Sequence, residues 1–180
     1  MHVARWTSCF LGPILAALLL TALSPAARAV TVSIGPADTT AVCGDTLVVR
    51  VVTDAFPDLK AYELILGYDP AILQCVGVIA GDVLTQGTMQ VLPDVVAPVD
   101  SVWVDCAQLV GSTSGPGVLA YLRFAALGKG TSTVRVLYAD FRDSWNVQTL
   151  PARVDGIVRT PYCPTPVMTT TWGRVKTLYR

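Results

Sequence analysis

Apolar and polar residues alternate along much of the chain, and short clusters of turn residues interrupt the alternation. The clearest example is the segment 62–68. Side chains two residues apart lie on the same face of a strand. One face of this segment is therefore apolar and consists of Tyr62, Leu64, Leu66 and Tyr68. Glu63 and Ile65 belong to the opposite face, so the pattern predicts a strand that buries one face and leaves the other accessible.

The same pattern predicts nine strands, at 31–34, 46–53, 62–68, 72–79, 88–92, 101–109, 118–127, 131–138 and 147–158. Turn residues separate them, for example Asp69-Pro70 and Gly128-Lys129-Gly130. Proline fixes one backbone angle, and glycine permits the conformations that close tight turns. Short strands at regular spacing, with turns between them, predict an all-β sandwich of nine strands.

The first 29 residues are typical of a signal peptide. Arg5 supplies positive charge, the apolar run covers residues 10–23, and Ala27-Arg28-Ala29 resembles a cleavage site. The run is shorter than the roughly 20 residues that span a bilayer, although an uncleaved membrane anchor is the alternative. We predict cleavage after Ala29, a domain over residues 30–159, and a protein that is secreted or held at the cell surface.

The composition changes after the predicted domain. Residues 160–171 interleave prolines and threonines, which predicts an extended linker. Residues 172–180 form an aromatic and basic tail. This tail could be a recognition tag for export or surface attachment, a weak membrane contact, or a frayed terminus.

Charge and histidine content exclude several classes of function. The sequence has 13 basic and 13 acidic residues. Cleavage of the predicted signal peptide would remove Arg5 and Arg28, so the mature chain would have 11 basic and 13 acidic residues and a net charge of −2. This balance argues against nucleic-acid binding, which requires a concentrated basic face. The only histidine is His2, inside the predicted leader. The mature chain therefore cannot use Ser-His-Asp catalysis or histidine metal sites, whereas a hydrolase based on two carboxylates remains formally possible.

A set of spaced motifs resembles the cohesin family, the non-catalytic receptor modules of cellulosome scaffolds. The motifs are YELILGY with Asp69-Pro70, then ILQCVGV, GDVL, and SGPG followed by VLAYLRF, which ends at Phe124. The resemblance covers residues 30–159 and implies a nine-stranded β-sandwich with jelly-roll topology. It also implies a binding module with no enzymatic activity, and we predict no cofactor.

The resemblance further implies where a partner would bind. In cohesins the outer face of the third predicted strand binds a dockerin, and Glu63 matches a polar contact position on it. Ile65 lies on the same face, and Gln108 matches a second polar position. Alternatively, Glu63 only solvates this face. The cysteines and the short loop at 111–117 depart from the family pattern, so partner specificity is not carried over.

Four cysteines remain after the leader: Cys43, Cys75, Cys106 and Cys163. An even number in an exported protein predicts disulfides, but spacing alone permits three pairings. The resemblance implies the pair Cys43–Cys163 and, with it, Cys75–Cys106. Free buried thiols are the alternative. No two cysteines have the C-x-x-C spacing of a zinc site.

Carbohydrate binding is the alternative function, because cohesins resemble certain cellulose-binding modules. Such modules bind polysaccharide with rows of exposed aromatic rings. The candidates are Trp103, Tyr121, Tyr138, Phe141 and Trp145. Strand parity favours Trp103 and Tyr121, whereas Phe141 and Trp145 alternatively fill the end of the sandwich.

Calcium prefers oxygen ligands, but the sequence contains no D-x-D-x-D-G loop. We therefore predict no metal site on this chain, and no dockerin segment. A calcium site at turn aspartates is the alternative, and Asp140-Phe141-Arg142-Asp143 is the nearest approach to such a loop.

Overall fold

The computed structural model describes residues 29–54, 56–93 and 100–163. These residues form twelve β-strands. They are β1 Thr31–Gly35, β2 Asp38–Thr40, β3 Thr46–Thr53, β4 Ala61–Gly67, β5 Leu73–Ala80, β6 Thr88–Pro93, β7 Ser101–Ala107, β8 Gly117–Ala126, β9 Gly130–Arg142, β10 Gln148–Thr149, β11 Ala152–Val154 and β12 Gly156–Thr160.

The strands form two sheets that pack face to face. The smaller sheet has the strand order β11-β1-β3-β8-β5. The larger sheet has the order β2-β12-β9-β4-β7-β6, with β10 paired to β9. The all-β sandwich predicted from the alternation is therefore confirmed, with twelve strands among the described residues instead of nine.

The extra strands arise where the chain changes sheets. The predicted strand 147–158 is divided into β10, β11 and β12. β11 pairs in parallel with β1 in the smaller sheet, whereas β12 pairs with β9 in the larger one. β2 lies outside the nine predicted strands and pairs in parallel with β12. These short strands pair with segments that are distant in the sequence. The alternation of apolar and polar residues is local, so it does not predict which distant segments pair.

The core lies between the inner faces of the two sheets. The alternation in β4 is realised as predicted, since Tyr62, Leu64 and Leu66 are buried and Glu63 and Ile65 are only partly covered. The Tyr62 hydroxyl donates a hydrogen bond of 2.6 Å to the carbonyl oxygen of Leu119 on β8. This bond joins the two sheets, so it fixes β4 against the smaller sheet while its outer face stays accessible.

One disulfide links two segments at the end of the sandwich where β3 begins and β12 ends. Cys43 is bonded to Cys163, with 4.7 Å between their Cα atoms, as the resemblance implied. It joins the turn before β3 to the segment after β12. Thr160 ends β12 and is fully buried, so the folded part extends to Cys163, into the segment predicted as a linker.

The second predicted disulfide, Cys75–Cys106, is wrong. Both cysteines are free thiols. Cys75 lies on β5 of the smaller sheet, beside Tyr68 and Ser101. Cys106 is buried on β7 of the larger sheet, opposite Tyr62 at the other end of β4. The two thiols therefore belong to different sheets and lie towards opposite ends of them.

The predicted termini lie largely outside the described residues. This applies to the signal peptide except Ala29, to the linker beyond Cys163, and to the tail 172–180. Across the described ranges, the chain contains no helix with the length and apolar character needed to span a membrane.

Candidate functional site

The outer face of the larger sheet carries three carboxylates side by side. Glu63 on β4 lies opposite Asp105 on β7 and opposite Asp140 on β9. Directly opposed residues in antiparallel strands have Cβ atoms about 4.5–5.5 Å apart. The three side chains therefore form one row across three neighbouring strands, which we call the acidic row.

A second row lies beside the acidic row, two residues further along each strand. Ile65 on β4 lies opposite Trp103 on β7 and Tyr138 on β9. The Trp103 side chain is 40% exposed, and Ile65 and Tyr138 are partly exposed. These residues, here called the apolar row, place two aromatic rings around an aliphatic side chain on an accessible sheet.

Asp140 is the most enclosed carboxylate of the acidic row. Its Oδ2 accepts hydrogen bonds from Arg142 Nη2 at 2.9 Å, Arg142 Nε at 3.0 Å and Gln148 Nε2 at 3.0 Å. The side chain is 5% exposed. Its other oxygen, Oδ1, is buried and has no hydrogen-bond partner among the described residues. A buried acceptor without a partner is costly, and the three hydrogen bonds to Oδ2 offset that cost.

Glu63 and Asp105 are held differently, because neither forms an ion pair with a described residue. Trp103 Nε1 donates to Asp105 Oδ1 at 3.1 Å. Desolvation by the surrounding protein raises the pKa of Glu63, and the negative charges of Asp105 and Asp140 raise it further. Arg142 opposes this effect only in part. The row therefore carries negative charge that the domain itself does not neutralise.

A groove of about 460 Å³ runs over this part of the sheet. Its floor contains the acidic row, and β6 closes one side with Thr88 and Gln90. Leu109, which is highly exposed, and Arg142 stand at its margin. The groove thus offers carboxylate and amide acceptors together with apolar contacts to a long side chain from another molecule.

Comparison with solved structures shows what this architecture is similar to. A non-cellulosomal cohesin from the archaeon Archaeoglobus fulgidus is 18% identical, with a TM-score of 0.62 over 77% of this chain and 94% of that chain. A type I cohesin–dockerin complex from Clostridium thermocellum is also 18% identical, with a TM-score of 0.62 over 74% and 99%. This chain has the cohesin fold.

A type II cohesin domain from the cellulosome of Acetivibrio cellulolyticus has the same fold, with 16% identity and a TM-score of 0.62 over 72% of this chain and 95% of that chain. No protein-family profile matches the sequence. No curated protein matches it either. The likeness therefore lies in the architecture, and the predicted resemblance to cohesins is confirmed at the level of the fold.

The cohesin fold separates the three predicted partner-binding residues. Glu63 and Ile65 lie on the outer face of β4, next to the groove. Gln108 does not share that face, because it follows the inward positions Val104 and Cys106 and is 7% exposed. Its backbone amide donates to the Lys60 carbonyl oxygen at 3.0 Å. Gln108 is therefore removed from the candidate surface.

The two predicted sugar-binding residues also lie apart. Trp103 belongs to β7 of the larger sheet, and Tyr121 belongs to β8 of the smaller sheet. Each side chain lies on the outer face of its sheet, away from the core between the sheets. The two rings are therefore on opposite sides of the sandwich. They cannot form the continuous aromatic platform that the alternative function requires.

Asp105 and Asp140 were not predicted as binding residues, and Tyr138 was predicted only as a candidate sugar-binding ring. Asp105 could have been found, because it shares strand parity with the predicted Trp103. Asp140 and Tyr138 are brought beside β4 by pairing between strands far apart in the sequence. The described residues contain no group of three His, Cys, Asp or Glu side chains arranged to hold a metal ion.

Glu63→Gln is expected to stabilise the isolated domain at neutral pH by up to about 1 kcal/mol, since the carboxyl is partly exposed. The pKa of folded Glu63 lies above its ordinary value of 4.5, so ionisation at neutral pH opposes folding. The gain should disappear below about pH 4.5, where Glu63 is protonated in both states. Denaturant unfolding at pH 7 and pH 4 measures this difference. A variant less stable than wild type at pH 7 would contradict it.

Proposed function

We propose that this chain is a secreted, non-catalytic cohesin-like module that binds a protein partner through the outer face of its larger sheet. The observation that carries the proposal is the acidic row beside the apolar row on an accessible sheet. A surface of this kind matches the usual anatomy of a protein interface, in which aromatic side chains supply contact area and charges give specificity.

The fold supports a protein partner of a particular type. The structural neighbours include cohesins in complexes with dockerins. By analogy, the partner here is a protein with a dockerin-like segment, and the module acts in scaffolding or adhesion. Fold alone does not establish function, so the chemistry of the face must select the partner.

That chemistry specifies what the partner presents. Glu63 and Asp105 require positively charged or hydrogen-bond-donating side chains from the partner. Ile65 and Trp103 require apolar side chains beside them. A short amphipathic element of the partner, with Lys or Arg next to aliphatic residues, satisfies both rows.

The function is tested by affinity capture with the mature protein, Val30 to Arg180, under oxidising conditions. The bait is mixed with secreted proteins and cell-wall polysaccharide from the same source, with and without calcium. We expect a calcium-dependent protein that carries duplicated calcium-binding loops and is not retained by a Glu63→Arg bait. Retention only on polysaccharide, with no protein captured, would overturn the proposal and favour carbohydrate binding.

A further inference from the structure

Charged residues are divided unequally between the two sheets. The strands of the smaller sheet contain three arginines, Arg50, Arg123 and Arg153, and no aspartate or glutamate. Every carboxylate that lies in a described strand is in the larger sheet. These are Asp38, Glu63, Asp105 and Asp140. The strands of the larger sheet also contain three arginines, Arg135, Arg142 and Arg159. The charges of the smaller sheet are therefore all basic, whereas the larger sheet carries all four carboxylates together with three arginines.

The charges at the centres of these faces are not used within the domain. Asp38 and Asp140 form ion pairs with Arg159 and Arg142. Among the described residues Arg135 of the larger sheet also has no ion pair, and Arg153 of the smaller sheet donates to backbone carbonyl oxygens of β9. Beside the exposed apolar residues lie Glu63 and Asp105 on one face, and Arg50 and Arg123 on the other. In the described part of the chain none of these four residues forms an ion pair.

The smaller sheet also exposes apolar side chains next to its arginines. Arg50 lies opposite Tyr121, which in turn lies opposite Ile79, and Arg123 lies opposite Val48. The Ile79 side chain is 54% exposed and Val48 is 50% exposed. Arg50 and Arg123 are diagonal neighbours, about 7–8 Å apart. Like the larger sheet, this face combines two charges with a patch of aliphatic and aromatic residues.

We propose that a second copy of this chain docks the outer face of its smaller sheet onto the outer face of the larger sheet of the first. Arg50 and Arg123 of one copy then pair with Glu63 and Asp105 of the next, and the apolar patch around Ile79 covers the apolar row. Opposite charges of equal number and adjoining apolar residues make the two faces complementary.

The contact joins two different surfaces, so it leaves one face of each copy free. Head-to-tail contacts of this type produce open chains unless the rotation closes a ring. The outer face of the larger sheet is also assigned to the partner under the proposed function, so self-assembly and partner binding compete. The inference shares that face with the proposed function but does not depend on the identity of the partner.

Sedimentation velocity of the mature protein tests the proposal. The weight-average mass should rise with protein concentration and fall when salt is raised, because exposed charges are screened. Arg50→Glu with Arg123→Glu gives one double variant, and Glu63→Lys with Asp105→Lys gives another. Each alone should lose at least about 10-fold in association constant, because like charges then face each other.

An equimolar mixture of the two double variants is the decisive measurement. Every contact between unlike variants again joins opposite charges, so the mixture should associate about as strongly as wild type. Lys129→Glu, in the turn between β8 and β9, is the matched charge control and should assemble normally. A wild-type mass that stays monomeric at all concentrations, or a mixture that does not associate although both variants melt cooperatively, would overturn the inference.

The result is separable from the proposed function. The variant carrying Arg50→Glu and Arg123→Glu keeps Glu63 and Asp105, so it should capture the partner even though it does not self-associate. Partner capture without self-assembly in wild type rejects this inference alone. Self-assembly without any captured protein rejects the proposed function alone.

Discussion

Glu63→Arg is expected to weaken partner binding by about 10²-fold or more, which corresponds to roughly 3 kcal/mol. The substitution replaces the central carboxylate of the acidic row with a positive charge. A basic side chain of the partner would then face two positive charges, that of Arg142 and that of the new arginine. The new arginine would also offset the negative charge with which Asp105 and Asp140 attract the partner. Titration calorimetry with the captured partner, at a protein concentration where the module is monomeric, measures the effect.

Asp45→Arg is the matched control for this experiment. Asp45 is exposed, precedes β3 at the end of the sandwich that holds the disulfide, and undergoes the same reversal of charge. It should change affinity by less than about threefold, because a remote exposed charge acts through a screening solvent. Equal affinities of wild type and Glu63→Arg would show that the outer face of the larger sheet is not the binding site.

Removal of the disulfide is expected to have the largest effect on stability. Cys43→Ser combined with Cys163→Ser should lower the free energy of unfolding by about 2–5 kcal/mol. The bond joins residues 120 apart in the sequence. In the chain-entropy account, a cross-link of that span strongly restricts the unfolded chain. Denaturant unfolding of the double variant and of wild type measures the difference.

Cys75→Ser is the control for the loss of a thiol. It should lower the free energy of unfolding by less than the double substitution does, because Cys75 is free and only partly buried. Alkylation of the unfolded mature chain provides a second readout. Cys75 and Cys106 should react before reduction, and all four cysteines after it. Protection of Cys75 or Cys106 before reduction, or unchanged stability of the double variant, would contradict the pairing.

Much of the candidate surface could be predicted from local patterns. The alternation in 62–68 placed Glu63 and Ile65 on the outer face of β4, and the same parity places Trp103 and Asp105 outward on β7. Parity also indicates that Gln108 shares the inner side with Cys106, so its assignment as a contact residue was avoidable.

Other features depended on which strands became neighbours. Tyr121 points outward, as its parity predicts, but β8 belongs to the other sheet from Trp103. Cys75 and Cys106 are likewise separated by sheet membership, which spacing cannot reveal. Asp140 lies beside Glu63 only because β9 pairs with β4.

The sequence by itself therefore determined the fold class, the turns and the face of each central strand, because side-chain alternation is a local property of the backbone. The tertiary structure decided which outward residues share a sheet, which cysteines meet, and which charges remain unpaired. Those features follow from hydrogen-bonded pairing between segments distant in the chain. Such pairing is selected by the packing of the whole core and not by any single segment.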